Sequence, residues 1–125
     1  MEKVLGFGGF FFRADKPADL MRWYHDNLGI DYPPRDYDQQ PWRQTAGTTI
    51  FEPFERDNTD FVGSTAPFMF NFRVRDLDAM VAQLRANGNT VTVDENEYPN
   101  GRFAQLNDPE GNPIQLWQPG GVDSP

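Results

Sequence analysis

The chain has 125 residues, a formal net charge of −8, a pI near 4.4 and no cysteine. Its size suits one domain that buries roughly two thirds of its unfolded surface. The absent thiols exclude disulfides, thiolate metal sites and cysteine nucleophiles. The acidic balance argues against nucleic-acid or anionic-membrane partners, because both need a basic face.

In chain order, the opening "MEKVLGFGGFFF" reads as a strand. It has only Lys3 as a basic n-region and no small-residue cleavage site, so a cytoplasmic protein is expected. No apolar run approaches the roughly 20 residues of a membrane span. Phe10 to Ala14 alternates as a strand does and is rich in aromatics. Pro17 fits the first turn of a helix. Leu20, Trp23, Tyr24 and Leu28 then recur at helical spacing as one apolar stripe, and Gly29 suits the C-terminal cap. "YPPRDYDQQP" is a polar, Pro-rich loop. Strand candidates follow at Trp42 to Gln44 and Thr48 to Phe54, and "ERDNTDFVGSTAP" reads as a crossover.

The pattern then repeats. Phe10-Phe11-Phe12-Arg13 returns as Phe70-Asn71-Phe72-Arg73, and Asn27 and Asn87 keep the same offset. Asp76 is a good N-cap, Leu77, Met80, Val81 and Leu84 form the second stripe, and Gly88 ends it. Strands are expected at Thr90 to Val93, Arg102 to Leu106 and Pro113 to Trp117. "NDPEGN" is the turn between the last two, and "GGVDSP" reads as a frayed tail. Each half is thus strand–helix–strand–strand–strand: module one about 4–58, module two about 66–119, with a tail at 120–125. By the two-residue period, Phe10, Phe12, Phe70, Phe72, Ile114 and Leu116 face the helices. Phe11, Met69, Asn71, Gln115 and Trp117 face the opposite, helix-free side.

That helix-free side is the candidate ligand site. Gln115 and Trp117 side by side suit orienting and stacking a flat ligand, or they form a packed floor. Asn71 is a mid-strand polar group that needs a partner or a ligand. Phe11 supplies an apolar wall. Glu52 is the one carboxylate in the middle of a candidate strand, a general base if it reaches this face, although the register puts it on the other. Arg13 and Arg73 occupy equivalent strand ends and suit a salt bridge or a carboxylate clamp. Trp42, Gln44, Arg102 and Gln105 have no assigned facing. His25, the single histidine, falls roughly 140° from the Leu20 stripe and reads as solvated. No Ser–His–Asp arrangement, phosphate loop or dinucleotide fingerprint is present.

"FRVRDLDAMVAQLRANG" and "GRFAQLNDPEGNPIQLWQP", together with the repeat, resemble the vicinal oxygen chelate superfamily of glyoxalases, bleomycin-resistance proteins and extradiol dioxygenases. The resemblance implies an α+β fold of paired βαβββ modules whose sheets curl into a cup. It also implies homodimers, in keeping with sheet edges left open at the module junction. Metal-dependent members place His, Gln or Glu at four cup-facing positions, which fall here on Gly9, Phe51, Met69 and Gln115. Glycine and phenylalanine carry no donor, a thioether is soft, and a lone Gln oxygen is too weak to hold a divalent ion. The expectation is therefore a metal-free and cofactor-free cup that binds a small organic molecule, by way of Phe11, Met69, Asn71, Gln115, Trp117 and Glu52. Catalytic residues are unassigned. The alternative is a divalent-metal-dependent lyase, isomerase or dioxygenase of the glyoxalase family; a third reading is a structural module whose cup is plugged by Phe11, Phe51 and Trp117.

Overall fold

The computed structural model describes residues 1–61 and 63–124. Helix α1 spans Pro17–Leu28. The sheet and the second helix follow as β1 (Phe70–Arg73), α2 (Leu77–Ala86), β2 (Thr92–Val93), β3 (Gly101–Asn107) and β4 (Pro113–Pro119). A 3-10 turn at Gly121–Asp123 occupies the segment expected to fray. Val62, in the crossover loop, and Pro125, in the tail, lie outside the described residues. Among the described residues no helix is long and apolar enough to cross a membrane.

The strands form one mixed sheet in the order β1-β4-β3-β2. β1 runs parallel to β4, and the other pairs are antiparallel. Both helices lie against one face, as the apolar stripes require. Leu77, Leu84, Ile114 and Leu116 are fully buried between them. Around this core Phe10, Phe12, Phe68, Phe70 and Tyr24 meet edge to face, with centroids 5.1 Å apart for Phe10–Phe70 and 5.2 Å for Phe12–Phe70. Phe10 and Phe12 thus point to the helix side, as their alternation implies.

The helix ends obey their local chemistry. Pro17 opens α1, and Gly29 closes it in the left-handed region at φ 70°, where Gly29 N–H donates to the His25 carbonyl and Ile30 N–H to the Tyr24 carbonyl. Asp76 caps α2 by accepting from Ala79 N at 3.0 Å. Gln118 Oε1 accepts from Leu77 N at 2.7 Å and satisfies a further free donor of that first turn.

The α+β class holds, with one correction inside it. Between residues 1 and 61 the described regular structure is α1 alone. The strands expected at Phe10 to Ala14, Trp42 to Gln44 and Thr48 to Phe54 do not form. Alternation is a property of side chains, whereas a strand needs a second backbone in register. Pro41 and Pro53 remove donors at the borders of these segments, and Phe11, Ile50 and Phe51 stay 95%, 61% and 82% exposed.

Candidate functional site

α1 is held in place by residues of the second half. Lys16, at its N-cap, makes no side-chain cap. Instead Glu110, in the turn between β3 and β4, accepts from Asp15 N at 2.6 Å and from Lys16 N at 3.1 Å. A carboxylate there suits the positive end of the helix dipole. Asp108 in the same turn is buried, and Tyr24 donates its hydroxyl to Asp108 Oδ2 at 2.6 Å. The remaining acceptor positions of Asp108 take the N–H groups of Glu110 and Asn112 and the Asn112 side-chain amide. Burial, then this hydrogen bond and the charge of Asp108, push the Tyr24 phenol far above its ordinary range. At the other end of α1, Asn27 Oδ1 accepts from Asn87 Nδ2 at 3.2 Å and from Asn89 Nδ2 at 2.8 Å. The two asparagines related by the sequence repeat are therefore in contact.

With one sheet face closed by the helices, the other is free. Directly paired residues project to the same side, so the register defines rows. One row runs Asn71, Gln115, Gln105 and Thr92 across the strands. Asn71 Nδ2 donates to Gln115 Oε1 at 2.7 Å, and Gln105 Nε2 donates to the Asp60 carbonyl at 3.3 Å. The next row runs Arg73, Trp117 and Phe103. The Trp117 and Phe103 rings are parallel within 2° at 6.2 Å, and Trp117 Nε1 donates to the Asn100 carbonyl at 2.9 Å. Trp117 is only 3% exposed and forms a packed part of the floor.

Asn71, Phe103, Gln115 and Trp117 of this face border an open concavity of about 2270 Å³, which is also lined by helix-side residues such as Tyr24, Leu28, Met80 and Leu116. An ordinary small-molecule site is about 300–1,000 Å³. The excess follows from its second wall, which is built from the first-half segments that form no sheet. Phe11, Glu52, Met69, Asn71, Gln115 and Trp117 all border it. They are not gathered at one point, however. Asn71, Gln115 and Trp117 sit on paired strands, and Met69 immediately precedes β1. Phe11 and Glu52 are exposed on the opposite wall.

Other expectations resolve as follows. Arg102 faces the helix side, where it pairs with Asp78 at 3.0 Å. Gln105 faces the concavity side by its pairing with Gln115. Arg73 Nη2 donates to the Thr45 carbonyl at 2.8 Å, and Gly47 packs against its guanidinium, where a Cβ would collide. Among the described residues neither Arg13 nor Arg73 makes an ion pair, and the two form no clamp. Trp42 and Gln44 border the concavity from the first-half wall. His25 is exposed, stacked on Tyr32 at 4.4 Å. Phe103 was not among the expected site residues. Its signal lies in "RFAQLN", where Ala104 and Leu106 turn to the core and place Phe103 and Gln105 on the other face.

Gly9 and Phe51 carry no donor atom, and Met69 and Gln115 offer only a thioether and a neutral amide, a set that does not fit a divalent ion. Among the described residues, no cluster of three or more His, Cys, Asp or Glu side chains is placed to hold a metal.

A family model described as a glyoxalase-like domain matches residues 9–117. The chain belongs to the glyoxalase-like domain family. No protein of curated function matches it. Among solved structures, this glyoxalase-like domain is similar to an antibiotic-binding protein from Streptomyces sp. CB03234, at 24% identity over 86% of this chain and 88% of that one, with a TM-score of 0.56. It is similar also to a lactoylglutathione lyase from Agrobacterium tumefaciens, at 21% identity over 84% and 86%, with a TM-score of 0.52. Both likenesses are of fold. A glyoxalase/bleomycin resistance protein from the same Streptomyces strain is 39% identical over 39% of this chain, spans 42% of its own length in the match, and has a TM-score of 0.36.

Proposed function

We propose that this glyoxalase-like domain binds a small organic molecule in a cup that holds no resident metal. The observation that carries the reading is the helix-free sheet face. It presents the Asn71–Gln115 amide pair beside the Phe103–Trp117 rings, at the floor of a concavity whose other lining groups include Met69, Phe11 and Glu52. A mostly apolar hollow with a few convergent polar groups is the usual make-up of a ligand site. The metal-free part rests on donor chemistry: Gly9, Phe51, Met69 and Gln115 cannot together hold a hard or borderline divalent ion. The antibiotic-binding relative of the same fold accords with a binding role.

The expected outcome is that native mass spectrometry of the purified chain detects a co-purifying organic molecule and that elemental analysis finds no stoichiometric zinc, nickel, iron or manganese. One metal per chain, lost in Gln115→Ala or Glu52→Ala, overturns the metal-free cup and favours a lyase, isomerase or dioxygenase.

The same reading keeps the division into modules at about 4–58 and 66–119 and takes the working unit to be a homodimer in the cytoplasm. β1 is an edge strand, and the first-half wall exposes Val4, Leu5, Phe11 and Phe51. Open edges and apolar patches of this kind call for a cover. Light scattering at micromolar concentration is expected to give twice the chain mass; a monomer mass refutes the pairing.

A further inference from the structure

We propose that the cup selects an uncharged ligand with a hydrogen-bond donor and an acceptor on one edge of an apolar body, and that Asn71 and Gln115 together read that edge. This rests on the binding reading above and narrows it to one class of ligand.

The two side chains face each other across the parallel β1–β4 pair, Asn71 exposed and Gln115 half-buried. Their bond of 2.7 Å uses one N–H of Asn71 and the carbonyl of Gln115. A primary amide offers two N–H groups and a carbonyl oxygen. Left over are the carbonyl and the second N–H of Asn71 and the NH₂ of Gln115. None of these has another hydrogen-bond partner among the described residues. If both amides are turned over, the bond reverses, yet the pair still offers an acceptor and donors. The pair is thus complementary to an amide, a lactam or a hydroxy-ketone. A carboxylate meets the donor but sets its charge against the carbonyl. An ammonium group does the reverse.

The row itself carries no charged side chain, although Arg43, Glu52, Glu55, Arg56 and Arg73 also border the concavity. Gln105 is engaged with the Asp60 carbonyl, and Thr92 ends the row at the sheet edge. Arg73, one row on, is tied to the Thr45 carbonyl. The body of the ligand meets the half-buried Phe103, whose ring lies parallel to the buried Trp117 in the adjacent row.

The test uses three naphthalene probes on the full chain: 2-naphthamide, 2-naphthoate and (2-naphthylmethyl)ammonium. Binding is followed by the side-chain NH₂ signals of Asn71 and Gln115 in ¹⁵N-labelled protein. The expected result is that 2-naphthamide shifts both signals and binds about tenfold more tightly than either charged probe, the scale of one well-formed hydrogen bond. In Asn71→Leu and in Gln115→Leu, with far-UV spectra unchanged, that preference disappears. A charged probe that binds as tightly as the amide, or a preference that survives in both variants, overturns this inference and leaves the binding reading standing. Failure of all three probes to bind overturns both.

Discussion

The two halves of the chain carry the same pattern and end in different states. In the second half, β1, α2, β2, β3 and β4 close a core in which Leu77 and Leu116 are fully buried. In the first half, α1 is the described regular element, and Phe11, the counterpart of Asn71, is 95% exposed. Yet α1 is well formed, because the second half completes it: Glu110 satisfies its first donors, Asp108 takes the Tyr24 hydroxyl, and Asn87 and Asn89 hold Asn27. The difference teaches that a repeated sequence is not a repeated stability. A segment folds where its partners are, and those of α1 lie far along the chain, for example 60 residues away at Asn27–Asn87 and 84 at Tyr24–Asp108.

The largest test of this contrast sets Leu116→Ala against Phe11→Ala. Leu116 leaves a cavity at the centre of the sheet–helix core, and its loss costs about 2–5 kcal/mol of unfolding free energy in urea. Phe11→Ala, at an exposed position, stays within about 0.5 kcal/mol. A cost for Phe11 well above that, rising with protein concentration, shows that a second copy covers the first-half wall in solution.

Next in size is the link between the halves. Tyr24→Phe removes the donor and leaves the buried Asp108 one hydrogen bond short, at a cost of about 1–3 kcal/mol. The phenol's folded value is raised above the ordinary value of about 10, so the folded state holds its proton where the unfolded chain releases it. The native protein therefore loses stability as pH climbs above about 10, and the slope there is shallower in Tyr24→Phe. Equal alkaline slopes in the two proteins exclude this origin.

The smallest effect belongs to the cap. Glu110→Ala frees the Asp15 and Lys16 N–H groups and costs about 1 kcal/mol. Its signature is local: amide exchange speeds up at Asp15, Lys16 and Ala18 at the start of α1 and stays unchanged in α2, which is capped by Asp76 and Gln118. Faster exchange in both helices shows that the cap acts on the whole core instead.

Much of this architecture is legible in the chain alone. The spacing of Leu20, Tyr24, Leu77, Val81 and Leu84 marks the helices, with Pro17, Gly29 and Asp76 as their ends, because caps and stripes are local chemistry. Alternation in "PIQLWQP" places Ile114 and Leu116 in the core and Gln115 on the other side. What composition and period could not decide is pairing. That "FFFRA" stays outside the sheet while "FNFR" enters it depends on whether β4 is there to receive it, and the two segments have the same alternation. That Asp108 and Glu110, read as turn residues, anchor a helix of the other half is a long-range fact with no local signal. That Asn71 meets Gln115 at all follows from the register of two strands far apart in sequence, which only the folded sheet sets.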